Sequence, residues 1–208
     1  MKKKELQHRS YLCEVRSSEN ENGTALITGR PIVFNSVTDL GWFSEEISQG
    51  ALDDTDLTDV RFLVNHDTSK IPLARSRRNN GNSTMTLIPD ELGLMMNAYI
   101  DIANNSEAKS LDSAINRGDI SGMSFMFTID DEEWQDLRSD YPKRIIKKIG
   151  SIVEVSAVTF PAYTSTSIYS RNNKEALENA RKALENVRSV DTDLILAREK
   201  FIFFANKL

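Results

Sequence analysis

The chain has 208 residues with a formal net charge of −5 and a pI near 5.2, an acidic balance that argues against a nucleic-acid binder, which usually presents a basic face. Apolar residues make up 39% and charged residues 27%, which excludes a disordered chain and a membrane-embedded one. Cys13 is the sole cysteine, so neither an internal disulfide nor a cysteine zinc site can form, and a reducing cytoplasm fits.

Met1-Lys2-Lys3-Lys4 resembles the charged start of a secretory signal, but Glu5, Gln7, His8 and Arg9 stand where an apolar run is required, which argues against export. The first two-thirds of the chain reads mainly as strands. Tyr11 to Val15 and Thr24 to Phe34 are rich in β-branched and aromatic residues, with an Asn22-Gly23 turn signal between them. Leu40 to Leu52 is less regular and runs into an acidic loop at Asp53, Asp54 and Asp56. Val60 to Val64 is a short apolar strand ending in Asn65-His66-Asp67. Leu73 to Arg78, Ser83 to Ile88 and Gly93 to Asp101 read as three more strands, with turns at Asn79 to Gly81 and Pro89-Asp90.

A helix of about three turns follows, capped by Asn105 or Ser106, with Ala108, Leu111 and Ile115 on one face and Gly118 closing it. In the strand Ser121 to Ile129, alternation places Met123, Phe125 and Phe127 on one face and Ser124, Met126 and Thr128 on the other. An exposed excursion, Asp131 to Lys143, returns through strands Arg144 to Ile149 and Ser151 to Phe160, which Pro161 ends. Leu177, Ala180, Leu184 and Val187 then recur at helical spacing, and Leu194 to Phe204 forms a second apolar group. The change of character near Arg171 divides a domain over 1–171 from a helical tail over 172–208.

Three elements carry candidate chemistry. His66 ends an apolar strand, where it either caps the strand by hydrogen bonding or acts as a base; His8, in a charged terminus, reads as a solvated surface residue. Ser124 follows Gly122-Met123 on an apolar strand. Such a serine either bonds the sheet or is a nucleophile, and a nucleophilic serine needs a base, for which His66 is the candidate at neutral pH. Glu154 interrupts a strand with apolar alternate positions and needs a partner, either an imidazolium or one of Arg75, Arg77 and Arg78. Asp67 ranks second as the group orienting His66. Cys13 lacks an activating helix N-terminus or glycine turn, which argues against a cysteine hydrolase, and one usable histidine argues against a metallohydrolase. No cofactor or metal is expected. Trp42 and Trp134 read as packing residues.

The ordered blocks GWFSEEISQGAL, FLVNHD, GLMMNAYID, SGMSFMF, a tryptophan-bearing excursion at Trp134, and EVSAVTFPAY resemble the prohead (capsid-maturation) serine proteases of tailed phages, over roughly Thr24 to Ser170. That family is related in fold to the herpesvirus assembly proteases. The resemblance implies a mainly β (α+β) fold: a closed β-barrel ringed by helices. It implies His66, Ser124 and Glu154 as catalytic residues. Glu154 stands where the herpesvirus enzymes place a second histidine, and no segment matches their arginine-bearing oxyanion loop. The implied function is a serine endopeptidase inside the immature capsid in the bacterial host, from a phage or a prophage. Its implied partners are the major capsid protein with its scaffolding segment and the portal or prohead shell. A homodimer or higher oligomer is compatible with this, with no nucleic acid and no membrane. The tail over 172–208 then docks the enzyme or is self-cleaved. The competing expectation is a non-enzymatic β-barrel scaffold or capsid-assembly protein.

Overall fold

The computed structural model describes residues 5–13, 15–20, 22–77, 82–160 and 173–186. The strands are β1 (Leu6–Leu12), β2 (Arg16–Glu19), β3 (Thr24–Val33), β4 (Thr38–Asp39), β5 (Ser44–Ile47), β6 (Asp59–Val64), β7 (Ala74–Arg77), β8 (Met85–Asp90), β9 (Gly93–Asp101), β10 (Gly122–Gln135) and β11 (Lys143–Val158). Helix α1 spans Ser106–Asn116, and a second helix, α2, spans 173–186.

Two sheets share one apolar core. The larger runs β1-β10-β11-β5-β4, with β6 also on β11 and β7 on β6; the smaller runs β2-β3-β9-β8. Strand β11 organises the larger sheet. Its start, Lys143 to Ile146, pairs in parallel with β5, and its end, Glu154 to Ala157, pairs in parallel with β6. Its other edge pairs antiparallel with β10. Alternation along β10 sends Met123, Phe125 and Phe127 inward, where they meet Ile27, Met96 and Ile100 of the smaller sheet. Helix α1 closes one end. Asn105 caps it by accepting from the Glu107 and Ala108 N–H groups, and Ala108, Leu111 and Ile115 are buried. Among the described residues no helix is long and apolar enough to cross a membrane.

The expected closed barrel does not form. Among the described residues no ladder joins the larger sheet to the smaller. Strand β7 meets the segment leading into β8, where the Thr84 N–H donates to the Arg75 carbonyl and the Thr84 and Ser83 hydroxyls accept from the Arg75 and Arg77 N–H groups, a seam without strand pairing. Both β5 and β6 dock on the same edge of β11, so the sheet forks there instead of curling round to meet itself. The architecture is two packed sheets with helices against them.

Smaller differences have local causes. The first strand begins at Leu6, because Leu6 to Leu12 pairs residue for residue with Thr128 to Gly122. The hairpin of β10 and β11 extends to Gln135 and Lys143, so half of the expected excursion is strand, held by Arg144 on Glu132 and Lys147 on Glu133. Arg144 to Val158 is one strand, not two: Gly150 lacks the Cβ that would collide with the Asp130 carboxylate. Pro89 and Asp90 end β8 instead of forming a turn. Ser44 to Ile47, in the irregular segment, is strand β5. On α2, Leu177 is buried against Leu40 and Phe43, beside Trp134, and Arg181 donates to the carbonyls of Leu137 and Ser139. The turn at 79–81, Arg78, Pro161, Val187 and the apolar group 194–204 lie outside the described residues.

Candidate active site

His66 leaves the end of β6 through an unusual backbone. Asn65 and His66 both have positive φ, 52° and 59°, a left-handed conformation that Asn and His tolerate better than most residues. Asn65 fixes this turn to the end of β11: its N–H donates to the Ala157 carbonyl at 2.9 Å. Its side-chain oxygen accepts from the Thr159 N–H at 2.9 Å, and its amide donates to the Thr159 hydroxyl at 3.1 Å. The His66 N–H, turned back over the sheet, donates to Ser156 Oγ at 3.1 Å.

The imidazole meets a buried carboxylate. His66 Nδ1 hydrogen-bonds Glu154 Oε1, and Ser156 Oγ donates to Glu154 Oε2 at 2.6 Å. Glu154 is 1% exposed. A register shift opposite Met126 and Phe127 is a β-bulge that lets Ile152 and Val155 both enter the core while Glu154 faces the site; bulges commonly re-aim a side chain in this way. A carboxylate on Nδ1 fixes the tautomer with the proton on that nitrogen and leaves Nε2 as the basic atom.

Ser124 lies one strand away, in the row of Ser156. The register pairs Ser10 of β1 with Ser124 and Ser124 with Ser156; alternation puts all three on the face that carries Glu154. Ser124 is fully buried. Its hydroxyl donates to the Arg9 carbonyl at 2.8 Å and accepts from Ser10 Oγ at 2.8 Å. No hydrogen bond joins it to His66 among the described residues. The structure therefore brings His66 and Glu154 into direct contact and leaves Ser124 beside them, bonded to β1.

The alternative partners are engaged elsewhere. Asp67 Oδ1 accepts from the Ser69 N–H and hydroxyl, bonds that hold its carboxyl below the usual range, so it braces its own turn. Arg75 pairs with Asp59 at 2.5 Å, not with Glu154. Burial raises the Cys13 thiol, keeping it protonated.

The residue missed by sequence reading is His8. It is half-buried, not solvated, and its ring stands edge-on to His66, with centroids 4.9 Å apart and planes at 88°. Burial, reinforced by the neighbouring His66, pulls its pKa down to about 4. Among the described residues, His8, His66 and Glu154 form a group that could hold a metal, with ligand atoms all within 4.8 Å of one another. The missed signal is register: His8 lies across from Met126, which lies across from Glu154. Beside the His66 turn opens a cavity of about 430 Å³ walled by Leu63, Val64, Ile71, Leu111 and Ile120, with Lys70 and Glu107 also lining it.

Comparison with known proteins gives a consistent result. The family model described as caudovirus prohead serine protease matches residues 12–182, running into α2. A prohead protease of Enterobacteria phage HK97 is 26% identical over 122 residues, which cover 59% of this chain and 49% of that protein. The chain thus matches about half the length of this curated relative. No solved structure matches it.

Proposed function

Because this chain belongs to the caudovirus prohead serine protease family, we propose that it is a serine endopeptidase of phage capsid maturation, with Ser124 as nucleophile, His66 as general base and Glu154 as the carboxylate that orients the imidazole. The observation that carries this reading is the buried Glu154 carboxylate on His66 Nδ1, one strand from Ser124. Nothing structural requires a histidine in a left-handed turn to be aimed at a buried glutamate, whereas acyl transfer does require an oriented base.

In this mechanism the Ser124 hydroxyl leaves the Arg9 carbonyl by rotating about χ1 and donates to His66 Nε2. Its oxygen attacks the scissile carbonyl carbon, the proton passes to Nε2, and Glu154 stabilises the imidazolium so formed. The proton then goes to the leaving amine, and water reverses the sequence on the acyl-enzyme. General-base assistance of this kind is worth about 10²–10⁴-fold. The apolar cavity beside His66 takes an apolar side chain of the substrate near the scissile bond. The substrates are the scaffolding segment of the major capsid protein and the enzyme's own chain, inside the immature capsid. Residues 1–171 form the catalytic domain, and 172–208 dock it or are removed by self-cleavage.

One observation favours a second reading, a non-enzymatic assembly protein: the Ser124 hydroxyl is bonded to β1, as a purely structural serine would be. Intact mass of the expressed wild type, Ser124→Ala and His66→Ala chains separates the two. The protease reading expects shortening of the wild type alone. Three full-length chains, even when concentrated or mixed with capsid protein, favour the assembly protein.

A further inference from the structure

We propose that His8, His66 and Glu154 form a binding site for a divalent transition-metal ion, Zn²⁺ in particular, and that the bound ion holds the protease inactive. Two imidazoles and one carboxylate are a donor set that suits Zn²⁺ and Co²⁺ and leaves a fourth position for water. The three groups come from separate strands or strand ends. His8 sits on β1 and Glu154 on β11, with Met126 of β10 between them in one register row. Adjacent strands lie about 4.8 Å apart, so the two positions are about 10 Å apart, a span that two long side chains leaning toward each other on the same face can bridge. Their ligand atoms already lie within 4.8 Å of one another. A zinc ion about 2.0–2.2 Å from each ligand in tetrahedral geometry sets them about 3.3 Å apart, so closure takes shifts of about an ångström.

The His8 ring stands edge-on to His66, with centroids 4.9 Å apart. Glu154 already engages the His66 ring. The inhibitory consequence follows from the shared imidazole. An ion on His66 Nε2 takes the lone pair that accepts the serine proton. An ion on Nδ1 holds the ring in the tautomer with its proton on Nε2, so Nε2 has no lone pair to accept the serine proton, and it displaces the Glu154 hydrogen bond that orients the ring. In both cases Ser124 loses its base. Binding stands without the proposed function; inhibition rests on it.

The test titrates Zn²⁺ into the full Ser124→Ala chain, which keeps all three ligands and does not process itself, with Co²⁺ absorption as a second readout. One ion per chain is expected at micromolar concentration. Adding His8→Asn should weaken binding at least about tenfold, the scale on which loss of a partner in a metal site is felt. His8→Gln provides a second variant, and circular dichroism checks that both fold. Unchanged affinity in folded His8 variants, or no binding up to millimolar Zn²⁺, overturns the site. In the active chain, Zn²⁺ should suppress peptide hydrolysis, and His8→Asn should raise the half-inhibiting concentration by the same factor. Equal inhibition of both chains overturns the inhibitory role. A chain inactive without zinc sinks the proposed function, while the titration still decides the site.

Discussion

Glu45 and Glu154 are both 1% exposed and lie on paired strands, yet their charges are met by different chemistry. Glu45 sits between two guanidinium groups, Arg9 at 2.5 Å and Arg144 at 3.4 Å. Arg144 continues to Glu132 and lies over the Trp134 and Phe43 rings. Guanidinium groups stay charged at any physiological pH, so this cluster cannot pass a proton and serves as a brace. Glu154 meets an imidazole and a hydroxyl, and an imidazole gains or loses its proton near neutrality. Strand β1 joins both regions: alternation sends Arg9 to the brace and His8 to the site. A fixed cation thus makes a buried carboxylate structural, and a titratable partner makes it available to chemistry.

Substitutions at the two carboxylates sharpen this contrast most. Glu154→Gln, nearly isosteric, should lower kcat by about 10³–10⁴-fold in a peptide-hydrolysis assay, since the imidazole loses its tautomer and its counter-charge. Its melting temperature should shift little. Glu45→Ala should do the reverse. It leaves Arg9 and Arg144 buried without their shared partner, which costs about 3–5 kcal/mol in denaturant unfolding, while kcat of the folded fraction holds. If Glu45→Ala proved stable and inactive, the two assignments would have to be exchanged.

Acid should discriminate between the regions as well. The His8 pKa falls from 6.5 unfolded to about 4 folded, so the unfolded chain binds this proton first. Stability is unaffected above about pH 6.5 and declines as pH falls from there to 4, by up to about 3 kcal/mol. Unfolding curves of His8→Asn should be flatter across that window; identical slopes would remove His8 from the buried site. The smallest effect is expected at Ser156. Ser156→Ala removes the bonds to Glu154 Oε2 and the His66 N–H, each worth about 1–2 kcal/mol, and should reduce kcat by roughly tenfold with KM unchanged. A larger loss confined to KM would place Ser156 against the substrate instead.

Much of the scaffold could be read directly from local pattern. The Met123, Phe125, Phe127 alternation and the Asn105-capped helix depend on neighbours a few residues away, and both stand as expected. The pairing of His66 with Glu154 spans 88 residues; strand pattern left the partner of Glu154 open between an imidazolium and an arginine, and family resemblance favoured the imidazole. The barrel also came from resemblance, and it fails because a parallel fork on β11 depends on long-range pairing that periodicity does not report. His8 was missed because Lys2 to Glu5 make the terminus look solvated. What holds β1 in place is backbone pairing to β10 and the buried Arg9–Glu45 contact. The charge complementarity of Glu132 and Glu133 with Arg144 and Lys147 was a readable sign that the hairpin extends, hidden by the general rule that acidic runs are loops.

The most direct measurement is active-site labelling with a fluorophosphonate, which forms a stable phosphonyl ester with an activated serine, followed by peptide mapping. A Glu154-oriented His66 that serves Ser124 predicts a single adduct on Ser124 in the wild type and none in His66→Ala. An adduct on Ser10 or Ser156, or labelling that survives the loss of His66, would contradict it.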